Sequence, residues 1–465
     1  MSMSLPPIAR IMVPAGMLGT GFPAETLDRG IDLGVDAIAI DAGSTDPGAY
    51  YLGTATAKPT AAAVRRDLRL LLNASSRAGV PLIVGSCGTA GTDAGVDWVA
   101  GIARDILTQD GLSLRLARIY SEQKPSALVS ALADGDIAPL PGGGPLDQDL
   151  LLECEHIVGL MGHEPLSDAL DRGADVVLAG RTTDTAVIAA AMLRKGAPEG
   201  PTWHAAKIAE CGGMSTTNPV AGGVHITLDA GGFTIEPLAA TAACTPRSVA
   251  AHMLYENVDP FLLREPAGTL DTTAATYTAL DDRRVRVEGS VFHHEPHTVK
   301  LEGAALRGYE TMSLVGLRDP VILDRFDEWL AFLRVQLDIR ISDLLADKAT
   351  GVTYDLRPYG YNAVLGDIEP DVSPPREVGL VMLVRAGDQE TATAVAKIAS
   401  PLLLHLPLPD MDRLPSFAFP YSPAEIERGP AYEFVLQHVL SVESANAAFR
   451  TEFDGNLHHD GSHHA

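Results

Sequence analysis

The segment at residues 168–189 constrains the fold of this chain more than any other. It predicts the end of a helix, a stop at Gly173, a buried strand of small and branched apolar residues at 175–179, and a second helix that begins near Thr185. A short apolar strand between two helices is typical of a parallel α/β sheet. Such sheets bind their ligands at the carboxyl ends of the strands.

Two charged residues, Arg181 and Asp184, follow that strand directly. We expect Arg181 to bind a substrate carboxylate and Asp184 to act as an acid or a base, because both stand where such a sheet places its ligand. The alternative is structural, with Asp184 capping the next helix and Arg181 forming a surface ion pair. The sequence leaves both interpretations open.

The first two hundred residues alternate short apolar runs with helical stretches. The runs predict buried strands at 11–15, 37–40, 81–84, 115–120 and 176–179, and helices are predicted between them at 61–78 and 96–109. This alternation predicts an α/β domain over residues 1–200, with a parallel sheet and helices on both faces.

After residue 200 the pattern changes to that of an α+β region, residues 201–372. It predicts hairpins at 222–238 and 277–288, two strands at 297–302 and 308–317, and a helix at 322–337. Residues 371–376 predict a linker. The last segment, residues 373–465, predicts a small ferredoxin-like domain, with a strand at 378–384, a helix at 390–400 and a strand at 432–442.

Charge and cysteine content argue against several classes of protein. The formal charge of −25 disfavours nucleic acids and anionic membrane surfaces as partners. The 4 cysteines have no CxxC spacing, which indicates reduced thiols in a cytoplasmic protein. The sequence contains no uninterrupted run of about 18 apolar residues, so no membrane helix is predicted. The first residues do not resemble a signal peptide.

Small and polar residues follow the other predicted strands. The loop at 85–91 can offer backbone amides to an anion, but it lacks both the ending of a P-loop and a GxGxxG pattern, so neither ATP nor NAD is predicted. Together with Arg181, the candidates for substrate binding are Asp41, Ser44, Ser86, Gly88 and Thr89, in loops that follow predicted strands, and Lys58, which follows the first of these loops and could hold a carboxylate.

Four residues are candidates for catalysis: Glu210, Asp184, Glu122 and Cys87. Glu210 ends a helix beside a Gly-rich turn, which suits an acid or base, although helix termination alone also explains the turn. Glu122 follows the strand at 115–120. Cys87 lies beside backbone amides that would suit a thiolate, but a free cysteine is more often inert packing.

The 14 histidines show no metal-binding spacing such as HExxH. His293, His294 and His297 can either ligate zinc or form a solvated surface turn. The His-rich tail at 457–465 is expected to be a flexible end. We therefore predict no cofactor and no metal ligands, with a divalent metal left as an alternative.

Several long segments resemble one family. LMGHEPLSDALDRGADVVLAGRTTDTAVIAA (160–190), HAAKIAECGG (204–213), LYENVDPFLLREPAGTLD (254–271) and HTVKLEGAALRGYE (297–310) resemble the acyclic terpene utilisation AtuA-like family. IDAGSTDPGAYYLG (40–53) resembles a bacterial branch often labelled 3-methylaspartate ammonia-lyase. The resemblance implies a Rossmann-like domain at residues 1–200 and a ferredoxin-like carboxy-terminal domain. It supplies no agreed set of catalytic residues.

These features favour a cytoplasmic catabolic lyase that adds or eliminates water or an amine on a small carboxylate. Such a reaction needs a base, an acid, and cations or amides that hold the developing enolate. Two alternatives are a hydrolase that uses Cys87 or an activated water, and a non-catalytic carboxylate-binding subunit of a larger enzyme. A homo-oligomer is expected, because symmetric oligomers are common.

Overall fold

The computed structural model describes residues 5–345, 351–370 and 375–454. These residues form two compact units, one made by the chain up to Ala305 and from Phe434 onwards, the other by Leu306–Glu433. The division into three domains at residues 200 and 372 stays a prediction. Residues 371–374 of the predicted linker and the His-rich tail lie outside the described residues.

The first unit contains most of the strands and helices. Within the described residues its strands are β1 (Ala9–Val13), β2 (Ala37–Asp41), β3 (Leu82–Gly85), β4 (Leu116–Tyr120), β5 (Ile137–Pro139), β6 (Cys154–Gly159), β7 (Val176–Ala179), β8 (Val224–Asp229), β9 (Gly232–Pro237), β10 (Leu262–Glu265), β11 (Gly268–Asp271), β12 (Thr276–Ala279), β13 (Val285–Glu288), β14 (Val291–His294), β19 (His438–Ser441) and β20 (Arg450–Phe453). Its helices are α1 (Ala24–Leu33), α2 (Tyr50–Thr54), α3 (Ala61–Ala78), α4 (Asp93–Asp110), α5 (Pro125–Asp134), α6 (Gln148–Glu153), α7 (Glu164–Asp171), α8 (Asp184–Arg194), α9 (Glu199–Ala209) and α10 (Pro246–His252).

A ten-stranded sheet has a parallel centre. β1, β2, β3, β7 and β4 are parallel neighbours in that order. Beyond β1 the sheet continues antiparallel through β8, β9, β13 and β12, and β20 pairs antiparallel with β4. The predicted parallel strands and both predicted hairpins are confirmed. The chain is a mixed α/β protein.

The parallel strands are apolar on both faces because helices cover both. Ile11 and Val13 belong to one buried cluster, which includes α8, whereas Met12 belongs to a second cluster, which includes α3 and α4. Side chains of a strand alternate between its two faces, so a strand that is buried on both faces has a continuous run of apolar residues in the sequence. This is why the sequence predicts these strands well.

The second unit contains a small sheet with helices. Its elements are β15 (Thr298–Leu317), which begins in the first unit, then α11 (Pro320–Asp324), α12 (Phe326–Leu345), β16 (Thr353–Tyr359), β17 (Val378–Ala386), α13 (Gln389–His405) and β18 (Glu425–Phe434). β17 lies between β16 and β15 and is antiparallel to both, and β18 pairs with β15. Buried side chains of α12 and α13 pack with those of β17 in one cluster.

Three predicted elements in this part of the chain are wrong in detail. The strands predicted at 297–302 and 308–317 are one strand, β15, because Ala304 and Ala305 continue the pairing with β6 across a bulge. The helix predicted at 322–337 is divided at Arg325, which leaves helical geometry and binds Glu328. The strand predicted at 432–442 is divided into β18 and β19 around Gln437, whose backbone N–H donates to the His438 side chain instead of a ladder partner.

Two smaller groups of strands complete the first unit. β10, β11 and β14 form an antiparallel three-stranded sheet. β6 and β19 pair with the first residues of β15, and β5 pairs with β19. Among the helices of the described chain, none combines the length and apolar character needed to cross a membrane.

Candidate functional site

The loops after β2, β3, β7 and β4 meet at one edge of the sheet, because these strands are parallel neighbours. They contact each other backbone to backbone. A Cβ on Gly43 would lie 2.2 Å from Cα of Thr89, and a Cβ on Gly91 would lie 2.2 Å from the backbone nitrogen of Arg181. Glycine is required at these two positions because no side chain fits between the loops.

Arg181 lies at the centre of this loop cluster and is buried, with 7% of its surface exposed. Its Nε donates to Glu302 at 2.9 Å, and its terminal nitrogens contact the hydroxyls of Ser86 at 3.3 Å and Thr45 at 3.4 Å. Burial favours the neutral guanidine, but Glu302 and Asp184 outweigh it and raise the pKa of Arg181, so the side chain is cationic. A surface ion pair is therefore excluded for Arg181.

Glu302, which the sequence analysis missed, is the main partner of Arg181. Lys300 also donates to it, at 3.0 Å. Burial would raise the pKa of Glu302, yet Arg181 and Lys300 lower it to about 2. The available signal was the two-residue spacing of Lys300 and Glu302, which places both on one face of a strand.

Asp41 ends β2 and is buried beside the same cluster. The backbone N–H of Gly43 donates to its Oδ2 at 3.3 Å, whereas its Oδ1 has no hydrogen-bond partner among the described residues. Burial, and then the charge of Asp184, raise the pKa of Asp41 well above its usual range.

The other predicted binding residues lie in or around the loops and do not line the two cavities near Arg181. Ser86, Gly88 and Thr89 are buried, and Thr89 accepts a hydrogen bond from the backbone N–H of Lys58 at 2.8 Å. The Lys58 side chain is exposed. Ser44 donates to Asp46 at 2.8 Å. Apart from the Ser86 contact with Arg181, this geometry gives these residues a role in packing the loops.

Two predicted catalytic residues lie outside the cavities described below. Glu122 accepts hydrogen bonds at 3.1 Å from the backbone N–H of Asp93, at the start of α4, and from His156. Cys87 is fully buried, and burial raises the pKa of its thiol, so the thiol is neutral at pH 7. These surroundings do not favour Cys87 as a nucleophile.

A polar cavity of about 410 Å³ opens beside Arg181. Asp184 lines it from the first turn of α8, while Thr183 caps that helix by accepting from the N–H of Ala186. The structural alternative of Asp184 as the cap is therefore wrong. Burial raises the pKa of Asp184, and Arg181, at 3.8 Å, partly offsets the shift.

Glu210 lines the same cavity from the end of α9 and is buried. The ammonium of Lys207, one helical turn earlier, donates to its carboxylate. Burial raises the pKa of Glu210 to about 8 despite this partner. The sequence identified Glu210 and missed Lys207, although their three-residue spacing in a helix places them on one face.

Glu265, at the end of β10, is a second carboxyl group that the sequence analysis missed. It is partly buried in the cavity wall and accepts hydrogen bonds from Thr185 at 2.7 Å and from Thr183 at 3.2 Å. Desolvation raises its pKa to about 7, and the two threonine hydroxyls limit the shift. The cavity thus holds carboxyl groups that exchange protons near neutral pH beside the cations Arg181 and Lys207.

A larger and mainly apolar cavity, of about 940 Å³, adjoins the polar one. Leu160, Thr183, Val258, Arg264 and Glu265 line both. Its other apolar walls come from Leu140, Pro141, Pro266, Pro296, Phe434, Leu436 and Val439. The arrangement can hold a molecule with a polar end at Glu265 and a hydrocarbon part in the larger cavity.

The predicted histidine group does not converge on one point. His293, His294 and His297 approach three different acidic residues, Asp271, Glu199 and Glu164 respectively. Potential metal ligands in the described part of the chain come together instead at Glu210, Cys211 and His252. No spacing motif predicts this group, because His252 follows the other two by some forty residues.

Comparison with known proteins identifies the family. The model described as "Acyclic terpene utilisation family protein AtuA" matches residues 54–408, which is more than half of the chain and includes Arg181, Glu210 and Glu265. The comparisons with curated proteins and with solved structures each found no match. The chain belongs to the acyclic terpene utilisation AtuA family.

Proposed function

We propose that this protein is a metabolic enzyme of the lyase type, which adds or eliminates water or an amine on a carboxylate substrate. One observation carries this proposal: Glu265 lines a cavity that Arg181 and Lys207 also line, and it has two hydroxyl donors and a pKa of about 7. A carboxylate with such a pKa is well matched to proton abstraction at neutral pH.

In the proposed elimination, Glu265 takes a proton from the carbon next to the substrate carboxylate. An acid then protonates the departing hydroxyl or amine, so that water or ammonia leaves and a carbon–carbon double bond forms. Glu210 and Asp184 are the candidates for that acid, because burial raises the pKa of both and both line the cavity. Glu122 and Cys87 have no part in this scheme.

The substrate carboxylate would bind at Arg181 and Lys207. Both are charged and both line the polar cavity. The terminal nitrogens of Arg181 make only long contacts, such as 3.4 Å to Thr45, so they can turn toward a stronger acceptor. Bound in this way, the substrate would have its developing negative charge close to two cations.

The hydrocarbon part of the substrate would occupy the larger cavity. Its volume of about 940 Å³ and its apolar walls support a carboxylate with a longer or branched chain as well as a small one. The description of the family, which refers to the utilisation of acyclic terpenes, supports the same class of substrate.

We also propose the finer fold assignments and a cytoplasmic location. The parallel order of β1, β2, β3, β7 and β4, with helices on both faces, supports a Rossmann-like core. In the second unit the succession β15–α12–β16–β17–α13–β18 and the order β18, β15, β17, β16 support a ferredoxin-like domain. Four cysteines that are all free support the cytoplasm.

Hydrogen exchange in heavy water tests the proposed reaction directly. The protein, with a chelator present, is incubated in D2O with a panel of dicarboxylates, hydroxy acids, amino acids and branched unsaturated acids, and NMR follows deuterium entering next to the carboxylate. We expect exchange with at least one acid, and a rate reduced by about 10²–10⁴-fold in Glu265→Gln, the usual contribution of a general base.

The matched control is Glu295→Gln, which alters a carboxylate of the neighbouring cavity that is paired with Arg264. It should exchange at the wild-type rate. A Glu265→Gln variant that exchanges as fast as wild type would contradict the role of Glu265. No exchange or turnover with any acid of the panel would favour a non-catalytic carboxylate-binding subunit.

A further inference from the structure

Glu210, Cys211 and His252 form a compact group of potential metal ligands. Glu210 and Cys211 follow α9 directly, and His252 is the last residue of α10. One ligand atom from each side chain lies within 4.8 Å of the other two. A single ion can therefore be reached by all three with small side-chain adjustments.

His252 supplies an independent observation. It is buried, with 6% of its surface exposed, and its Nε2 has no hydrogen-bond partner among the described residues. A buried polar atom without a partner loses its hydrogen bonds to water and gains none in return. A metal ion that accepts the nitrogen lone pair would offset this cost.

We propose that Glu210, Cys211 and His252 bind a divalent transition-metal ion of the zinc type. A carboxylate oxygen, a thiolate sulfur and an imidazole nitrogen form a mixed set that suits Zn²⁺ and disfavours Mg²⁺ or Ca²⁺, which prefer oxygen ligands. Three protein ligands leave a fourth position open, as in catalytic zinc sites. Glu210 also lines the polar cavity, so the ion would lie at the cavity wall.

The charges around the cavity fit a bound dication. More acidic than basic side chains line the cavity. The five acidic ones are Asp184, Glu210, Glu256, Asp259 and Glu265, and the three basic ones are Arg181, Lys207 and Arg264. Lys207 bonds one oxygen of Glu210, and a carboxylate has a second oxygen for an ion. With the ion bound, Glu210 is a ligand, and Asp184 is the remaining candidate acid. The metal site goes beyond the proposed function and does not depend on it.

Cobalt spectroscopy tests this site without any substrate. Co²⁺ is titrated into the metal-free full chain, and the absorption band of thiolate-to-cobalt charge transfer is recorded, with Zn²⁺ added afterwards in competition. The sequence ends in a His-rich segment that includes His458 and His459, and imidazoles alone give no thiolate band. The band therefore reports a cysteine ligand.

We expect the band in wild type and in the control variant Cys244→Ala, and its loss in Cys211→Ser. In His252→Gln the band should appear only at a higher Co²⁺ concentration than in wild type. Substitution of a residue that merely hydrogen-bonds to a ligand typically weakens metal binding by about 10–100-fold, and loss of the ligand His252 should weaken it more. Absence of the band in wild type, its survival in Cys211→Ser, or an unchanged affinity in folded His252→Gln would overturn the proposal. The exchange assay contains a chelator, so failure of one proposal leaves the other standing.

Discussion

Arg181 has two roles at the scale of the single residue. Its guanidinium contacts Glu302, Ser86 and Thr45, and Arg181 also lines the polar cavity. The sequence predicts substrate binding or a surface ion pair for Arg181 but not these buried contacts, because partners more than 90 residues away leave no local pattern. A substitution at Arg181 should therefore affect both folding and binding.

Arg181→Lys should lower the free energy of unfolding by about 2 kcal/mol, the scale of a hydrogen bond to a charged group. Lysine keeps the charge but cannot reproduce the planar arrangement that contacts three partners. Urea denaturation measures the change. The matched control is Arg264→Lys in the same cavity, where the side chain is 78% exposed and a change below about 0.5 kcal/mol is expected. Equal stabilities of the two variants would show that Arg181 has no structural role.

His204 gives a prediction for stability against pH. His204 is fully buried, and its two ring nitrogens form hydrogen bonds with the hydroxyls of Ser290 and Tyr277. Burial lowers the pKa of His204 to about 3. Below a pH of about 6.5 the unfolded chain binds a proton that the folded chain does not, so stability falls as the pH falls, by up to about 1.4 kcal/mol per pH unit for this histidine.

Urea denaturation between pH 7 and pH 5 should give a smaller loss of stability with decreasing pH in His204→Gln than in wild type. His293→Gln is the control, because that side chain is 59% exposed and should leave the slope unchanged. A His204→Gln slope equal to that of wild type would mean that His204 is protonated in the folded protein.

Residues of the candidate site differ in how far the sequence predicts them. Glu210 and Asp184 are identifiable because each stands at a helix terminus next to a predicted strand or turn. The contacts of Glu265 and Glu302 cannot be identified in this way, because their partners Thr185 and Arg181 lie 80 and 121 residues away in the chain. The sequence indicates which charged residues lie near a strand end. Which of these residues contact each other depends on the tertiary structure.

At the scale of the element, the parallel strands are predictable and the long strand β15 is not. β1, β2, β3 and β7 are buried on both faces and have the composition of such strands. β15 contains a central run of small residues that resembles a connection, yet Gly303, Ala304 and Ala305 in this run pair with β6. Pairing of this kind depends on distant residues and leaves little local pattern.

The contact between the loops after β2 and β3 gives a prediction at this scale. Gly43→Ala should destabilise the protein, because the new Cβ would lie 2.2 Å from Cα of Thr89 and 2.3 Å from its carbonyl oxygen. Gly101→Ala is the control, since Gly101 lies within α4 and a Cβ there meets nothing within 4 Å. It should stabilise the helix by about 0.5–1 kcal/mol.

Thermal unfolding should therefore shift in opposite directions for these two variants. A Gly43→Ala protein as stable as Gly101→Ala would show that the loops do not contact each other as described.

At the scale of the whole molecule, the first unit combines segments that are far apart in the sequence, because strands from the end of the chain pair with strands from its first third. β20 pairs with β4, joining Arg450 to Tyr120, and β19 pairs with β5. Local sequence patterns cannot indicate such pairings, because β5, β19 and β20 are each only three or four residues long. The predicted strand at 432–442 shows the consequence, since its first two residues belong to the second unit and the others to the first.

We expect the protein to be a homo-oligomer. Helix α12 of the second unit exposes Val335 and Ile339, at 52% and 49%, on successive turns of one face, and apolar side chains of this kind are suited to an interface. Light scattering at micromolar concentration should give a mass well above the 49.0 kDa of one chain. A mass that equals one chain would contradict this expectation.

The central claim of the proposed function is that Glu265 changes its protonation state near neutral pH, and NMR can measure this most directly. The protein is labelled with ¹³C at the glutamate carboxyl carbons and titrated in the presence of a chelator, and the resonance absent from Glu265→Gln identifies Glu265. We expect a pKa of about 7 for that resonance, because desolvation in the cavity outweighs the hydrogen bonds from Thr183 and Thr185. A Glu265 carboxyl group that titrates at the ordinary glutamate pKa of about 4.3 would contradict it.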